Sequence, residues 1–255
     1  MRVISFCADG IRDAARRGFY EWVVDQDADI ICVQNLMAQE YELQESVYFP
    51  SEYNGYFFDA VESASNGVAI YCRKLPKAVM TGLGFTDFDM EGRYIQADFD
   101  RISFGSLLAP SAYRQDRKAQ ARKDQFFELY YAHLNKVRNK RREFVICGNL
   151  GIAHRPVDIQ NAEANRGVSG NLPEEQQWMD RLFSELGYVD AFRQVNTDPD
   201  EFSWWPGGER GEDGWRVDYQ ITSAGLKNTI EYGVTYKAQE FGSHSPVIMD
   251  YDYEL

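Results

Sequence analysis

The residues best placed to do chemistry stand where apolar runs meet loops. Asn149 and Gly151 follow the apolar run 144–147, Asp218 lies inside "WRVDYQITS", and His244 directly precedes "SPVIMDYDY". Aspartate and histidine are common proton acceptors and donors in catalysis, whereas the amide of an asparagine cannot accept a proton. Because Asn and Gly tolerate left-handed backbone conformations, Asn149 and Gly151 have the alternative role of shaping a tight loop.

The pattern of apolar residues predicts alternating strands and helices that would position these residues. Alternating or continuous apolar runs predict strands at 2–7, 28–36, 67–73, 142–149, 215–223 and 245–253, and a hairpin at 94–110 with its turn at 98–101. Apolar residues at helical spacing predict helices at 12–27, 116–142 and 173–187. Hairpins mixed with helices favour an α/β (α+β) architecture in one domain, residues 1–255, although periodicity leaves several layer arrangements open.

Composition limits the classes of protein that this chain belongs to. It has 255 residues, 44% hydrophobic and 15% aromatic, enough for one large core. No apolar run approaches the ~20 residues that span a bilayer, and the first residues do not resemble a signal peptide, so we expect a cytoplasmic protein with no membrane partner. The four cysteines form no CxxC pair and each lies in or beside an apolar segment, which predicts buried free thiols and no zinc site.

The charge of the chain is acidic, with basic residues concentrated in two places. The formal net charge is −13, which argues against tight nucleic-acid binding by the chain alone because such binding neutralises phosphates. Basic clusters at 114–123 and 136–142 are each typical of a solvated helix face. Together, on one predicted helix, they also indicate a site for an anionic partner.

The order of motifs resembles the exonuclease III branch of the endonuclease/exonuclease/phosphatase superfamily. "ISFCADGIR" resembles "SFNxNGxR", "ADIICVQN" resembles "PDxxxLQE", "EGRYIQADF" resembles "EGRxxxAxF", and "FSWWPG" contains "FSWW". "CGNLGIAH" stands where the family has "GDMN", "WRVDYQITS" resembles "LRIDxxLxS", and "GSHSPV" resembles "SDHxPV". The resemblance runs nearly end to end and implies a four-layer α/β sandwich, two packed mixed β-sheets flanked by helices, as in exonuclease III and DNase I.

The same resemblance implies a site in which most functional positions are altered. Cys7 replaces an asparagine, Asn35 a metal-binding glutamate, Leu108 a phosphate-contacting tyrosine, Asn149 the aspartate that activates water, Gly151 a phosphate-contacting asparagine, and Ser243 a metal-binding aspartate. Asp218 and His244 keep the family's aspartate–histidine pair, with a purely structural pair as the alternative. Hydrolysis in the family requires a hard divalent cation, a base and hydrogen-bond donors. We therefore expect no metal, no cofactor and no catalysis.

Segments such as "PKAVMTGLGF", "NKRREFVICG" and "VIMDYDYEL" are similar to the non-catalytic catabolite repression control proteins of pseudomonads and their relatives. That resemblance implies a translational regulator that acts with the RNA chaperone Hfq on A-rich mRNA sites, binds RNA or DNA weakly or not at all alone, and contacts RNA through Lys140, Arg141 and Arg142. Self-association is left open. The alternatives are an active, Mg²⁺-dependent exodeoxyribonuclease III or abasic-site endonuclease in base excision repair, and a DNA-binding module without enzymatic activity.

Overall fold

The structure, a computed structural model, describes residues 1–62, 65–112, 116–208 and 210–255. Its strands in chain order are β1 (Arg2–Cys7), β2 (Ile30–Gln34), β3 (Asn54–Phe58), β4 (Val68–Cys72), β5 (Ala78–Thr81), β6 (Tyr94–Asp98), β7 (Ile102–Leu108), β8 (Glu143–Asn149), β9 (Val189–Asp190), β10 (Asp218–Thr222), β11 (Ile230–Thr235) and β12 (Val247–Tyr251). Its α-helices are α1 (Ile11–Arg16), α2 (Phe19–Asp25), α3 (Thr86–Asp89), α4 (Arg117–Val137), α5 (Pro173–Ser184) and α6 (Ala191–Val195). Short 3₁₀ helices occur at Glu40–Glu42, Ser46–Tyr48, Pro156–Asp158 and Ala224–Thr229.

These strands form two mixed sheets of six strands each. The first has the order β11-β12-β1-β2-β4-β3, and the second has the order β5-β6-β7-β8-β10-β9. Within each sheet one central pair is parallel, β1 with β2 and β7 with β8, and the other pairs are antiparallel. The 21-residue α4 makes the crossover between β7 and β8, as a parallel connection requires.

The two sheets pack face to face and are covered by helices on their outer faces. A central apolar cluster that includes Ile30, Phe104 and Val145 lies between the sheets. A second cluster packs α1 and α2 on the first sheet, and a third packs α4 and α5 on the second. The predicted four-layer α/β sandwich is therefore confirmed.

A few polar contacts join the two sheets. Gln34 Nε2 donates to Ser106 Oγ at 3.0 Å, and Gln220 Nε2 donates to the Val3 carbonyl at 3.0 Å. Because a buried polar group costs free energy unless it is hydrogen-bonded, these pairs favour one register of the sheets over others.

Two helix predictions need correction. The predicted helix 12–27 is two helices, α1 and α2, because Gly18 adopts a positive φ of 86° between them. The predicted helix 116–142 ends at Val137, so Lys140, Arg141 and Arg142 lie in the connection to β8. Residues 113–115, part of the first basic cluster, lie outside the described residues.

Candidate functional site

The candidate site lies at one edge of the sandwich, where strands of both sheets begin or end. The parallel pairs β1–β2 and β7–β8 end there, and the antiparallel strands β10 and β12 begin there. In the second sheet, Leu108 on β7 is directly opposite Asn149 on β8, which is opposite Asp218 on β10. Strand register alone therefore places three of the predicted site residues in one row.

Asp218 is the centre of the first hydrogen-bonded group. The Asn149 amide donates from Nδ2 to Asp218 Oδ1 at 2.9 Å, and His244 Nδ1 lies 2.7 Å from Asp218 Oδ2. Asp218 and His244 are both buried. The family-type aspartate–histidine pair is thus present. Beside it, Asn149 supplies an N–H donor at the position where the family has a carboxylate.

Asp9 is the centre of the second group, although it is not among the predicted site residues. Asn35 Nδ2 donates to Asp9 Oδ1 at 2.5 Å, and the Ser243 hydroxyl donates to Asp9 Oδ2. The thiol of Cys7 lies 3.7 Å from Asp9 Oδ1, and His244 Nε2 lies 3.6 Å from Asp9 Oδ2. Asp9 therefore connects four of the altered or retained site residues. It occupies the second asparagine of the "SFNxNG" motif, and that departure from the motif was the available signal.

The electrostatics of the site follow from these contacts. Burial lowers the pKa of His244, but the carboxylates of Asp218 and Asp9 outweigh burial and raise the pKa above its usual value. Burial raises the pKa of Asp9, but His244 and the hydrogen bonds from Ser243 and Asn35 hold the pKa below its ordinary range. Burial, together with Asp9 and Asp218, raises the pKa of Cys7 well above the ordinary thiol value.

The loop around Gly151 is held from beneath by a buried ion pair. Lys123 Nζ on α4 lies 2.6 Å from Glu175 Oε1 on α5 and donates to the Gly151 carbonyl at 2.8 Å. Glu175 Oε2 also accepts from the Gly170 amide at 2.6 Å. Both side chains are nearly inaccessible, at 1% and 2% exposure, so Lys123 holds the loop and is not available to a phosphate in solvent.

Two apolar groups complete the site. Leu108 is buried, and its side chain carries no hydrogen-bond donor, unlike the tyrosine that the family has there. Trp204 lies over His244, with ring centroids 5.9 Å apart and the planes 24° from parallel. The tryptophan therefore packs against the imidazole.

The hard divalent cation that the resemblance implies does not fit these side chains. Mg²⁺ prefers carboxylate, carbonyl and water oxygens in octahedral geometry. Asn35 and Asn149 direct their N–H groups at the two remaining carboxylates, Ser243 donates its hydroxyl hydrogen to Asp9, and Cys7 offers soft sulfur. The site therefore presents amide N–H groups and a sulfur where Mg²⁺ requires oxygen ligands.

The structure brings together the degenerate positions but not the basic residues. Cys7, Asn35, Asn149, Asp218, Ser243 and His244 form the two linked groups, Leu108 is in register with Asn149, and Gly151 is two residues beyond it. Lys140, Arg141 and Arg142 precede β8, and a seven-residue strand places them about 20 Å from Asn149, at the opposite edge. Arg142 pairs with Asp98 at 2.8 Å and donates to the Phe99 carbonyl, whereas Lys140 and Arg141 are exposed.

Comparison with known proteins establishes the family. The sequence pattern of the endonuclease/exonuclease/phosphatase family matches residues 9–235. The chain is 32% identical to an exodeoxyribonuclease of Bacillus subtilis over 97% of this chain and 98% of that protein. It is 30% identical to a DNA repair nuclease of Danio rerio over 89% of this chain and 74% of that protein.

Solved structures show the same fold. An AP endonuclease from Archaeoglobus fulgidus superposes with a TM-score of 0.89 at 21% identity, covering 99% of this chain and 100% of that one. A 3'-5' exonuclease from Neisseria meningitidis superposes with a TM-score of 0.87 at 19% identity, with the same coverage. Among the described residues, no helix is both long and apolar enough to cross a membrane. The chain belongs to the endonuclease/exonuclease/phosphatase family, and its sequence relatives lie in the exonuclease III branch.

Proposed function

We propose that this protein is a nuclease-fold regulator without Mg²⁺-dependent hydrolytic activity. The observation that carries the proposal is the direction of two amides: Asn149 Nδ2 donates to Asp218, and Asn35 Nδ2 donates to Asp9. A general base must accept a proton from water, and an amide N–H that faces a carboxylate cannot do so. A base contributes about 10²–10⁴ to rate, so its loss together with the cation should bring hydrolysis close to the uncatalysed rate.

The regulatory part of the proposal rests on surface charge and on the sequence resemblance. Lys140 and Arg141 form an exposed basic patch, here called the distal basic patch, at the edge opposite the site. With a net charge of −13, the chain is poorly suited to bind RNA alone, but two exposed cations can add to a complex in which another protein already displays the RNA. We propose that the partner is Hfq carrying A-rich mRNA, and that the outcome is repressed translation.

The second candidate function is an active exodeoxyribonuclease or abasic-site endonuclease, and the comparisons favour it. The relatives named above are nucleases, and the chain aligns with the Bacillus subtilis protein almost end to end. The retained Asp218–His244 pair and the carboxylate of Asp9 are the residues that such an activity would use.

One experiment separates the two functions. Purified protein is incubated with abasic duplex DNA and with 3'-recessed duplex DNA in Mg²⁺ and in Mn²⁺, and the Bacillus subtilis exodeoxyribonuclease serves as the positive control. We expect no product above the level of a His244→Ala variant. Cleavage that His244→Ala abolishes establishes the enzyme and overturns the main proposal.

A gel-shift assay tests the regulatory part. The protein is added to A-rich RNA, to Hfq, and to both together. We expect a slower complex only when Hfq and RNA are both present. A shift of RNA by this protein alone, or no shift in the ternary mixture, contradicts the proposed partner.

A further inference from the structure

A sulfur, a nitrogen and a carboxylate converge at the centre of the site, and the proposed regulatory function uses none of them. Cys7 Sγ lies 3.7 Å from Asp9 Oδ1, and Asp9 Oδ2 lies 3.6 Å from His244 Nε2. Cys7, Asp218 and His244 also each offer one potential ligand atom, and these three atoms lie within 4.8 Å of one another. Cys7 and His244 are buried, whereas the Asp9 side chain is 35% exposed and opens the group to solvent.

The orientation of His244 suits a metal ligand. Its Nδ1 lies 2.7 Å from Asp218 Oδ2, a contact in which a neutral imidazole donates its N–H to the carboxylate. The lone pair then resides on Nε2, the atom that faces Asp9. Histidines that bind metals commonly donate their other ring N–H to a carboxylate, which fixes the ring and increases the basicity of the ligand nitrogen.

The donor set selects the class of ion. Thiolate sulfur and imidazole nitrogen are ligands for Zn²⁺ and its neighbours, whereas Mg²⁺ requires oxygen. Bonds of about 2.0–2.3 Å at tetrahedral angles separate neighbouring donors by about 3.3–3.6 Å. Cys7 Sγ is 3.7 Å from Asp9 Oδ1 and His244 Nε2 is 3.6 Å from Asp9 Oδ2, and each separation is close to these values. The two contacts use different oxygens of the carboxylate, so an ion bound by all three residues lies between both oxygens.

We propose that Cys7 Sγ, Asp9 and His244 Nε2 form a binding site for Zn²⁺, with Asp218 orienting the histidine. Water completes the coordination of the ion. Asn35 and Ser243 keep their hydrogen bonds to Asp9, because each carboxylate oxygen has a second lone pair for the ion. Binding expels the thiol proton of Cys7 to solvent and requires a neutral His244, so the ion replaces protons.

This site differs from the sequence-based expectation of no zinc, which rested on the absence of CxxC pairs. Cys32 and Cys147 lie inside β2 and β8, Cys72 ends β4 at the edge opposite the site, and all three belong to the central apolar cluster. Cys7 is at the last position of β1, where the strand meets the site. The feature that indicates a metal site in this chain is therefore a single cysteine at the site edge, followed two residues later by an aspartate.

Cobalt(II) provides the direct measurement, because it replaces Zn²⁺ and its thiolate complexes absorb in the near ultraviolet. The protein is treated with chelator, titrated with Co²⁺ and then back-titrated with Zn²⁺. We expect a thiolate-to-cobalt band that saturates at one equivalent and disappears on addition of Zn²⁺. The variants Cys7→Ser and His244→Asn should abolish the band, and Asp218→Asn should weaken the apparent affinity about 10- to 100-fold.

The matched control is Cys72→Ala, which removes a thiol far from the site and should leave the cobalt band unchanged. Near-ultraviolet circular dichroism shows whether each variant is folded. Absence of a thiolate band in the folded wild-type protein at excess Co²⁺, or a band that survives Cys7→Ser, overturns the proposal. The cobalt titration measures metal binding, and the DNA cleavage assay measures hydrolysis, so the two proposals are tested independently. A zinc site in a protein that cleaves DNA contradicts only the proposed function, and an inactive protein without the cobalt band contradicts only the zinc site.

Discussion

At the scale of single residues, the site has exchanged the places of a carboxylate and an amide. The family motifs have an asparagine at position 9 and a glutamate at position 35, whereas this chain has Asp9 and Asn35, joined by a 2.5 Å hydrogen bond. The exchange keeps one negative charge, but Asp9 is surrounded by Cys7, Ser243 and His244. The charge is therefore retained in surroundings that favour a softer ion than Mg²⁺.

Restoring the family residues tests whether the lost carboxylates account for the expected inactivity. The variant with Asp9→Asn, Asn35→Glu, Asn149→Asp and Ser243→Asp rebuilds three carboxylates and removes the like charge at position 9. We expect Mg²⁺-dependent nicking of abasic DNA at least about 10²-fold above wild type, since a base alone contributes 10²–10⁴. Asn149→Asp alone should stay at background because the cation ligands are still missing. Equal rates for the wild-type and fourfold variant proteins would show that these carboxylates are not what limits the reaction.

The raised pKa of His244 makes stability depend on pH. Because the folded-state pKa exceeds the unfolded value of about 6.5, the protonated histidine stabilises the fold below about pH 6.5, and this contribution is lost as pH rises through the folded pKa. In Asp218→Asn the histidine loses its main partner, so burial should lower its pKa. We expect the difference in unfolding free energy between wild type and Asp218→Asn to be larger at pH 6 than at pH 9, measured by urea unfolding. The exposed Asp13→Asn variant should show no such trend, and a constant difference for Asp218→Asn would contradict the assignment.

At the scale of elements, the sequence predicted the bounds of the buried strands more accurately than the bounds of the helices. The runs 2–7, 142–149 and 245–253 contain β1, β8 and β12, because buried strands are marked by continuous apolar residues bounded by polar ones. The helix break at Gly18 and the end of α4 at Val137 depend on backbone conformation and on packing, which apolar spacing does not record. Motif order located the predicted site residues and marks Asp9 as a departure from the family motif, but the contacts of Asp9 with Asn35 and Ser243 join separate loops and cannot be derived from motif order.

A buried ion network holds the element that leads into β10. Asp158, in the 3₁₀ helix Pro156–Asp158, accepts from Arg216 at 2.7 Å and from Arg193 on α6 at 2.7 Å. Arg216 also pairs with Asp190 at 2.6 Å. Burial raises the pKa of Asp158, but the two arginines outweigh burial and lower the pKa to about 2. The network fixes Arg216, two residues before Asp218, and so connects the site to the α6 side of the second sheet.

Asp158→Asn should be strongly destabilising. The substitution leaves buried Arg216 short of one counter-charge, a change that typically costs about 3–5 kcal/mol. Because the folded-state pKa of Asp158 is lowered, its contribution is present above about pH 4 and is lost as pH falls toward 2. Urea unfolding at pH 7 and pH 3 should therefore show a smaller cost at pH 3. The control Asp13→Asn removes an exposed ion pair and should change the free energy of unfolding by less than about 1 kcal/mol at pH 7. A similarly small change for Asp158→Asn would refute the stabilising role of the network.

At the scale of the whole molecule, the basic residues of α4 and its C-terminal connection are divided between two edges. Arg117 and Lys118 begin α4 near the site, and Lys140 and Arg141 follow its far end. A helix of 21 residues is about 32 Å long, so a ligand that contacts one pair need not contact the other. The acidic remainder of the chain repels nucleic acid from most other surfaces, and the edge used by RNA can therefore be identified by charge reversal.

The double variant Lys140→Glu/Arg141→Glu reverses the distal basic patch and should weaken assembly with Hfq and A-rich RNA. Loss of two phosphate contacts on a single strand should reduce the slope of log affinity against log salt concentration by about 1.4, at 0.7 per contact. The matched control, Arg117→Glu/Lys118→Glu, changes the net charge by the same amount at the other end of α4 and should leave the slope unchanged. Both slopes are measured by titrating the protein into preformed Hfq–RNA complex at several salt concentrations. If only the control variant loses affinity, RNA is held at the edge that carries Asp9 and His244, and the former nuclease site itself becomes the RNA-contacting surface.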